Sequence, residues 1–241
     1  MELRELSSNH NSVYDRLLEM PLFQGLNSQD ITNIIYRIKV DFRKFSKGKV
    51  IVTEGSPCDN LYFILEGNIQ RSFVSSRKKF CFKETLLSPC VLGVSNMYGM
   101  TLHFMETYIA ISDVTCLVIP KRYVNNVLFD FDVFRINMLN MLSAMTQKSM
   151  KILRNEYNPS IQNQFIHFLK QNYSTSSGTK ELLCKMEDLA EVIHTTRLKV
   201  SRILNDFENR GLLQLYRKRI LIPAFEHLIA DGILKKNNIK P

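Results

Sequence analysis

The segment Cys184–Ile222, CKMEDLAEVIHTTRLKVSRILNDFENRGLLQLYRKRILI, restricts the fold more than any other part of the chain. Met186, Leu189, Ala190 and Ile193 fall at helical spacing, and Val200, Ile203, Leu204 and Phe207 repeat that spacing in a second run. His194-Thr195-Thr196 separates the runs. His194 stands where a tight inter-helix turn favours glycine, and it tolerates the left-handed backbone better than a β-branched residue does. Thr195 or Thr196 can cap the second helix by accepting its free backbone N–H groups, and Gly211 ends it. Two strand-like runs follow, Leu213–Tyr216 and Ile220–Ile222, joined through Arg217-Lys218-Arg219. Helix, turn, helix and basic hairpin in this order predict a winged helix-turn-helix.

The polar face of the second helix carries Arg197, Lys199, Ser201, Arg202 and Asn205. A helix of this size fits the major groove, where Arg197 and Arg202 can each present a two-pronged guanidinium to the O6 and N7 of guanine. Thr195, Thr196 and Lys199 suit phosphates, which position the helix without reading sequence. Arg217, Lys218 and Arg219 at the hairpin tip suit the phosphate backbone as well. From Thr195 to Arg219 there are seven cations against two acids. An ordinary solvated helix pair has no need of that imbalance in that order. Double-stranded DNA is the expected partner.

The bulk numbers agree. The 241 residues carry a net charge of +9 and a pI near 9.3, which favours polyanionic partners. A hydrophobic content of 45% is enough for a real core. Cys58, Cys81, Cys90, Cys116 and Cys184 are scattered without a CxxC pair, as expected of free thiols in a reducing compartment, and Cys58, after Pro57, is expected to be exposed. MELRELSSNHNS has acids and no apolar core, and no run is long enough to span a bilayer, so a cytoplasmic protein with no membrane partner is expected.

Between Val40 and Ile119 the pattern becomes one of short β-rich runs: Val50–Thr53, Leu61–Leu65, Ile69–Val74, Lys79–Thr85, Tyr108–Ile111 and Thr115–Ile119. Ser46-Lys47-Gly48, Glu54-Gly55-Ser56-Pro57 and Glu66-Gly67-Asn68 supply turns. Many close strands predict a sandwich or jelly roll. Here FRKFSKGKVIVTEGSPCDNLYFILEGNIQ resembles the cyclic-nucleotide-binding fold of the cyclic-AMP receptor protein and fumarate–nitrate regulator (Crp/Fnr) superfamily, through Lys47, Gly48, Glu54, Gly55, Asp59, Leu61, Tyr62, Ile64 and Gly67. Pro21–Leu26 resembles the helix and turn that precede the family's roll, and Arg197 with Val200–Leu204 resembles its recognition helix. The resemblance covers nearly the whole chain. The expected fold is α+β: a roll over 1–121, a central dimerisation helix over 122–157 and a winged helix-turn-helix over 158–241.

The resemblance implies a dimer through the central helix. Tyr123 to about Tyr157 has no Pro or Gly, and Met138, Leu142, Met145, Ser149 and Ile152 recur as a heptad seam; the alternative is that this stripe packs on the chain's own roll, for which Phe131, Phe134 and Met141 offer a second apolar face. Paired helix-turn-helix units call independently for two copies one helical turn apart, and so for a homodimer on a palindromic operator. Asn158-Pro159 is expected to end the helix as a hinge. RNA polymerase is the further partner expected of an activator.

Family members that bind cyclic AMP use a Gly-Glu pair and an Arg-Ser or Arg-Thr pair. Here Gly93 matches the glycine, but Val94 replaces the Glu, with Ser95 and Asn96 following. Glu106-Thr107 falls where the Arg pair is expected. From Glu84 through Pro120 there is no Lys or Arg, so a buried cyclic phosphate would lack a counter-charge. Cyclic AMP and cyclic GMP are not expected, and no cofactor is predicted. Haem remains open through His103 and the methionines of Met97–Met105, as does a different metabolite or no ligand. An iron–sulfur cluster is disfavoured because no Cys precedes Cys58. Many family members also have Glu after the recognition Arg; Leu198 stands there, which implies a different operator.

His10, His103, His167, His194 and His227 are dispersed, without an HxH pair, and no P-loop or dinucleotide fingerprint is present. An enzyme is therefore not expected. The alternative is a cyclic-nucleotide-type sensing module that acts through protein partners instead of DNA.

Overall fold

The computed structural model describes residues 15–38, 41–154 and 160–237. The chain forms two compact units, one of residues 1–70 and 86–147, the other of residues 71–85 and 148–241.

In the first unit, a capping box opens α1 (Ser28–Arg37): Asn27 accepts from the Asp30 backbone and Asp30 from that of Asn27. One sheet orders β1 (Asp41–Phe45), β8 (Val114–Pro120), β3 (Asn60–Glu66) and β6 (Cys90–Leu92) as β1-β8-β3-β6. Its antiparallel register sets Leu61 against Ile119 and Tyr62 against Leu92. Opposite it, β2 (Val50–Val52) pairs with β7 (Thr107–Ala110) beside the start of β4 (Asn68–Val74). Leu61, Phe63, Leu117 and Ile119 fill the space between. Phe23 sits 5.2 Å from Phe63 and 5.5 Å from Phe134, locking the N-terminal segment onto the roll. The β3–β4 turn requires glycine: Gly67 has φ +88°, and a Cβ there would lie 2.1 Å from the Asp113 carbonyl oxygen.

The sequence predicts one uninterrupted helix from Tyr123, and the structure corrects this. A short α2 (Lys121–Asn126) and a 3-10 turn (Leu128–Asp130) come first, and the long helix α3 runs Asp132–Arg154. Leu128 is fully buried and Phe131 turns to extended backbone, so packing on the roll overrides helix propensity before Asp132. The expected hinge at Asn158-Pro159 lies outside the described residues, as do His10 and the N-terminal run.

Each β-run read from the sequence appears within a few residues of its expected limits. The short strands β1 and β6, and β9 (Lys180–Leu183), give no such signal.

The second unit contains α4 (Ile161–Asn172), β9, α5 (Met186–Val192), α6 (Arg197–Asn209), β10 (Gln214–Tyr216), β11 (Arg219–Ile222) and α7 (Phe225–Asn237). β11 pairs with both β10 and β9, and β9 pairs in turn with β5 (Cys81–Leu87), setting Phe82 against Leu182 and Glu84 against Lys180. Phe82, Phe168, Phe165, Leu204, Phe207 and Ile220 form its core. Within it lies a charge cluster. Glu84 and Lys180 are fully buried and 2.8 Å apart, and Arg71 reaches the same carboxylate at 2.6 Å.

Candidate nucleic-acid interface

Three buried residues fix which way α6 faces. Val200, Leu204 and Phe207 are fully buried, so Arg197, Leu198, Lys199, Arg202 and Asn205 project into solvent, with Ser201 half-buried beside them. The turn that precedes the helix forms as its sequence predicts. His194 has φ +50°, the Thr195 N–H bonds to the Ala190 carbonyl, and the Thr196 hydroxyl accepts from the Lys199 N–H. Thr196, not Thr195, is the cap.

The wing is β10, a turn at Arg217-Lys218 and β11, with Lys218 at φ +60°. Arg217 and Lys218 are exposed at its tip. Arg219 is set back: its Nε lies 3.0 Å from Glu181, and its guanidinium stacks over the Tyr216 ring at 5.0 Å. Arg210, one of the seven cations, is a structural residue. It bonds to Asp206 at 2.7 Å and to Asp231, tying the end of α6 to α7.

Two further residues belong to this surface and carry no motif signal. Lys185 and Tyr216 join Arg197, Lys218 and Arg219 around a cleft of about 210 Å³ between the start of α5, the start of α6 and the wing. Only the fold brings them together, since Lys185 precedes its helix as an isolated lysine. Glu187, on the first turn of α5, also lines this cleft, 3.1 Å from Arg197.

The residues expected to form an effector pocket lie on the connection from β6 to β7 and at the first residue of β7. Gly93 to Asn96 make a tight turn, with the Asn96 and Met97 N–H groups both donating to the Gly93 carbonyl. Val94 and Asn96 are buried, while Ser95 is exposed. A Cβ on Gly93 would lie 3.0 Å from the Asn60 carbonyl, 3.1 Å from the Cys58 sulfur and 3.4 Å from the Phe104 ring, so the space over this glycine is occupied by the protein itself. Phe104 is buried edge-on to Tyr62 and Tyr108. Glu106 accepts from the Tyr108 hydroxyl, and Thr107 accepts from the Glu54 N–H. Lys121, just beyond the cation-free stretch, donates to the Met97 carbonyl at 2.6 Å and caps the Tyr98 ring.

Cys58 is not exposed. It is 1% accessible, and burial, reinforced by Asp59, pushes its thiol up to about 11 against the opposing pull of Lys121. Of the haem-ligand candidates, Met97 is fully buried, His103 bridges to Pro57, and Met100 and Met105 are exposed, so they are not gathered at one point. Among the described residues, no group of three His, Cys, Asp or Glu is placed to hold a metal. Nor is any described helix long and apolar enough to cross a membrane.

The residues expected to form the α3 seam differ in exposure. Met138 is 2% exposed within the roll core, and Leu142 packs against the same core, so neither is free for a partner. Ile152 is half-buried, while Met145 and Ser149 are exposed.

A β-roll, a long helix and a winged helix-turn-helix with a cationic outer face define a DNA-binding regulator with a sensor-type roll. Residues 42–131 match the cyclic nucleotide-binding domain, and residues 164–230 match the Crp-like helix-turn-helix domain. The chain belongs to the Crp/Fnr superfamily of transcription regulators. It is similar to the global nitrogen regulator of Synechococcus elongatus, 23% identical over 77% of this chain and 87% of that one. It is also similar to the CRP-like cAMP-activated global transcriptional regulator of Mycobacterium tuberculosis, 24% identical over 86% of this chain and 94% of that one. The solved catabolite activator protein of Thermus thermophilus is 16% identical, with a TM-score of 0.45 over 89% of this chain and 99% of that one. Regulators with this domain bind DNA and typically dimerise, and the family is not one of enzymes.

Proposed function

We propose that this regulator works as a cytoplasmic homodimer on a palindromic operator, with Arg197 and Arg202 reading bases and Thr195, Thr196, Lys199, Ser201, Arg217, Lys218 and Arg219 positioning the phosphates. The observation that carries the reading is the split face of α6: three apolar residues inward, and Arg197, Lys199 and Arg202 outward beside the basic wing. If it activates, RNA polymerase is its further partner.

The second copy docks on the exposed stripe of α3. Ile136, Leu139, Met150 and Leu153 are 56, 63, 50 and 73% exposed. With Ser143 and Thr146 they repeat at spacings of three and four, a seam rotated one residue, about 100°, from the buried Met138 stripe.

The roll of this chain does not take cyclic AMP or cyclic GMP. Asn60, Cys58 and Phe104 together close the space above Gly93, Val94 offers no ribose acceptor, and Lys121 is engaged by Met97. Any input therefore comes through another ligand class, or the roll is a fixed structural partner of α3.

Selection of bound duplexes from a random pool, with and without cell extract, tests the whole reading. An enriched palindrome is expected with purified protein alone or with extract, and cyclic AMP should leave the enrichment unchanged. Failure to enrich any palindrome in either arm refutes the dimeric, base-reading assignment.

A further inference from the structure

We infer that Glu187 is a specificity-determining partner of Arg197, an acid on the DNA face that aims the arginine's free fork at a base. The inference rests on the base-reading role of α6.

A guanidinium has two bidentate edges, the side formed by Nε with one Nη and the end formed by Nη1 with Nη2. The Glu187 carboxylate meets Arg197 at Nε, 3.1 Å away. That ion pair lies against the side edge, at Nε alone. It leaves the end fork for an acceptor pair, the arrangement presented by guanine O6 and N7.

Both partners are anchored. Glu187 lies in the first turn of α5, where the helix dipole favours an acid, and Arg197 is the first residue of α6 behind the Thr196 cap. Lys185, Tyr216, Lys218 and Arg219 surround the pair in the same cleft. A carboxylate amid these cations opposes a phosphate at that point, so it lowers affinity for every duplex. It favours the duplex on which Arg197 is correctly seated. Selectivity, a difference of affinities, gains from both effects. In the free protein the side chains are 71 and 63% exposed, and such a pair is weak. DNA that displaces the surrounding water strengthens it.

The test is fluorescence anisotropy on the selected operator and on duplexes altered at the base pair that R197A relaxes. E187A should reduce discrimination at that pair about five- to tenfold, with other positions unchanged and affinity for random duplex undiminished. E187Q keeps an acceptor oxygen at the same reach and should restore most of the discrimination. In the R197A background, E187A should change discrimination no further. Tighter binding to all duplexes with selectivity intact would overturn the inference, reducing Glu187 to a source of repulsion. If the parent protein itself prefers no duplex, the base-reading assignment falls, an outcome separable from failure of E187A alone.

Discussion

Replacing Glu84 should be among the most damaging changes to the second unit. Its two oxygens accept from Arg71 at 2.6 Å, Lys180 at 2.8 Å, the Ser174 backbone at 3.0 Å and hydroxyl at 2.6 Å, and the Thr175 backbone and hydroxyl at 3.3 and 3.2 Å. Burial alone raises a carboxyl, but Arg71, Lys180 and Ser174 together outweigh it and hold Glu84 at about 2 instead of 4.5. That gap corresponds to about 3 kcal/mol. Because the folded value is depressed, this stability is fully present above about pH 4.5 and is lost as pH falls toward 2. Glu84→Gln at neutral pH leaves the buried Lys180 ammonium without its counter-ion, at a cost of about 3–5 kcal/mol. Replacing both partners with apolar residues, E84L with K180M, should cost less than E84L alone, because no lysine charge then remains buried. Urea unfolding, with native-state hydrogen exchange at the β9 amides to isolate this unit, measures both quantities. A loss below about 1 kcal/mol in E84Q, or a double variant less stable than E84L, would refute the electrostatic reasoning.

Four other outcomes follow from the same structure. Gly67→Ala forces a Cβ against the Asp113 carbonyl at a positive φ and should cost more than about 2 kcal/mol, read as a lower urea midpoint. Phe104→Ala leaves a cavity beside Tyr62 and Tyr108 and should cost about 3–5 kcal/mol, while calorimetry still detects no cyclic AMP binding. L139E with L153E should yield a folded monomer by sedimentation with operator affinity reduced about 100-fold, whereas M138E should unfold the roll. Arg202→Ala should cost about 1–3 kcal/mol at one base pair, whereas Arg217→Ala should weaken all duplexes alike and reduce the salt slope by about one.

The winged helix-turn-helix is legible in the sequence because each of its signals is local. Periodicity gives α5 and α6, His194 gives the turn, Thr195 or Thr196 the cap, and Gly211 the stop, each from residues close in sequence. The roll's longer strands are legible for the same reason. Other features depend on contacts far apart in the chain. Two heptad stripes lie side by side on α3, and only burial of Met138 and Leu142 in the roll decides which one remains exposed. The break before Asp132 is imposed by packing of Leu128, not by any helix breaker. Glu84 meets Lys180 across 96 residues, and Glu187 reaches Arg197 across a turn between two helices. Charge and periodicity determine that this chain presents a basic helix to DNA. Which arginine is held by an acid, which is spent on structure, and whether space remains above Gly93 are decided by three-dimensional proximity, which linear order does not encode.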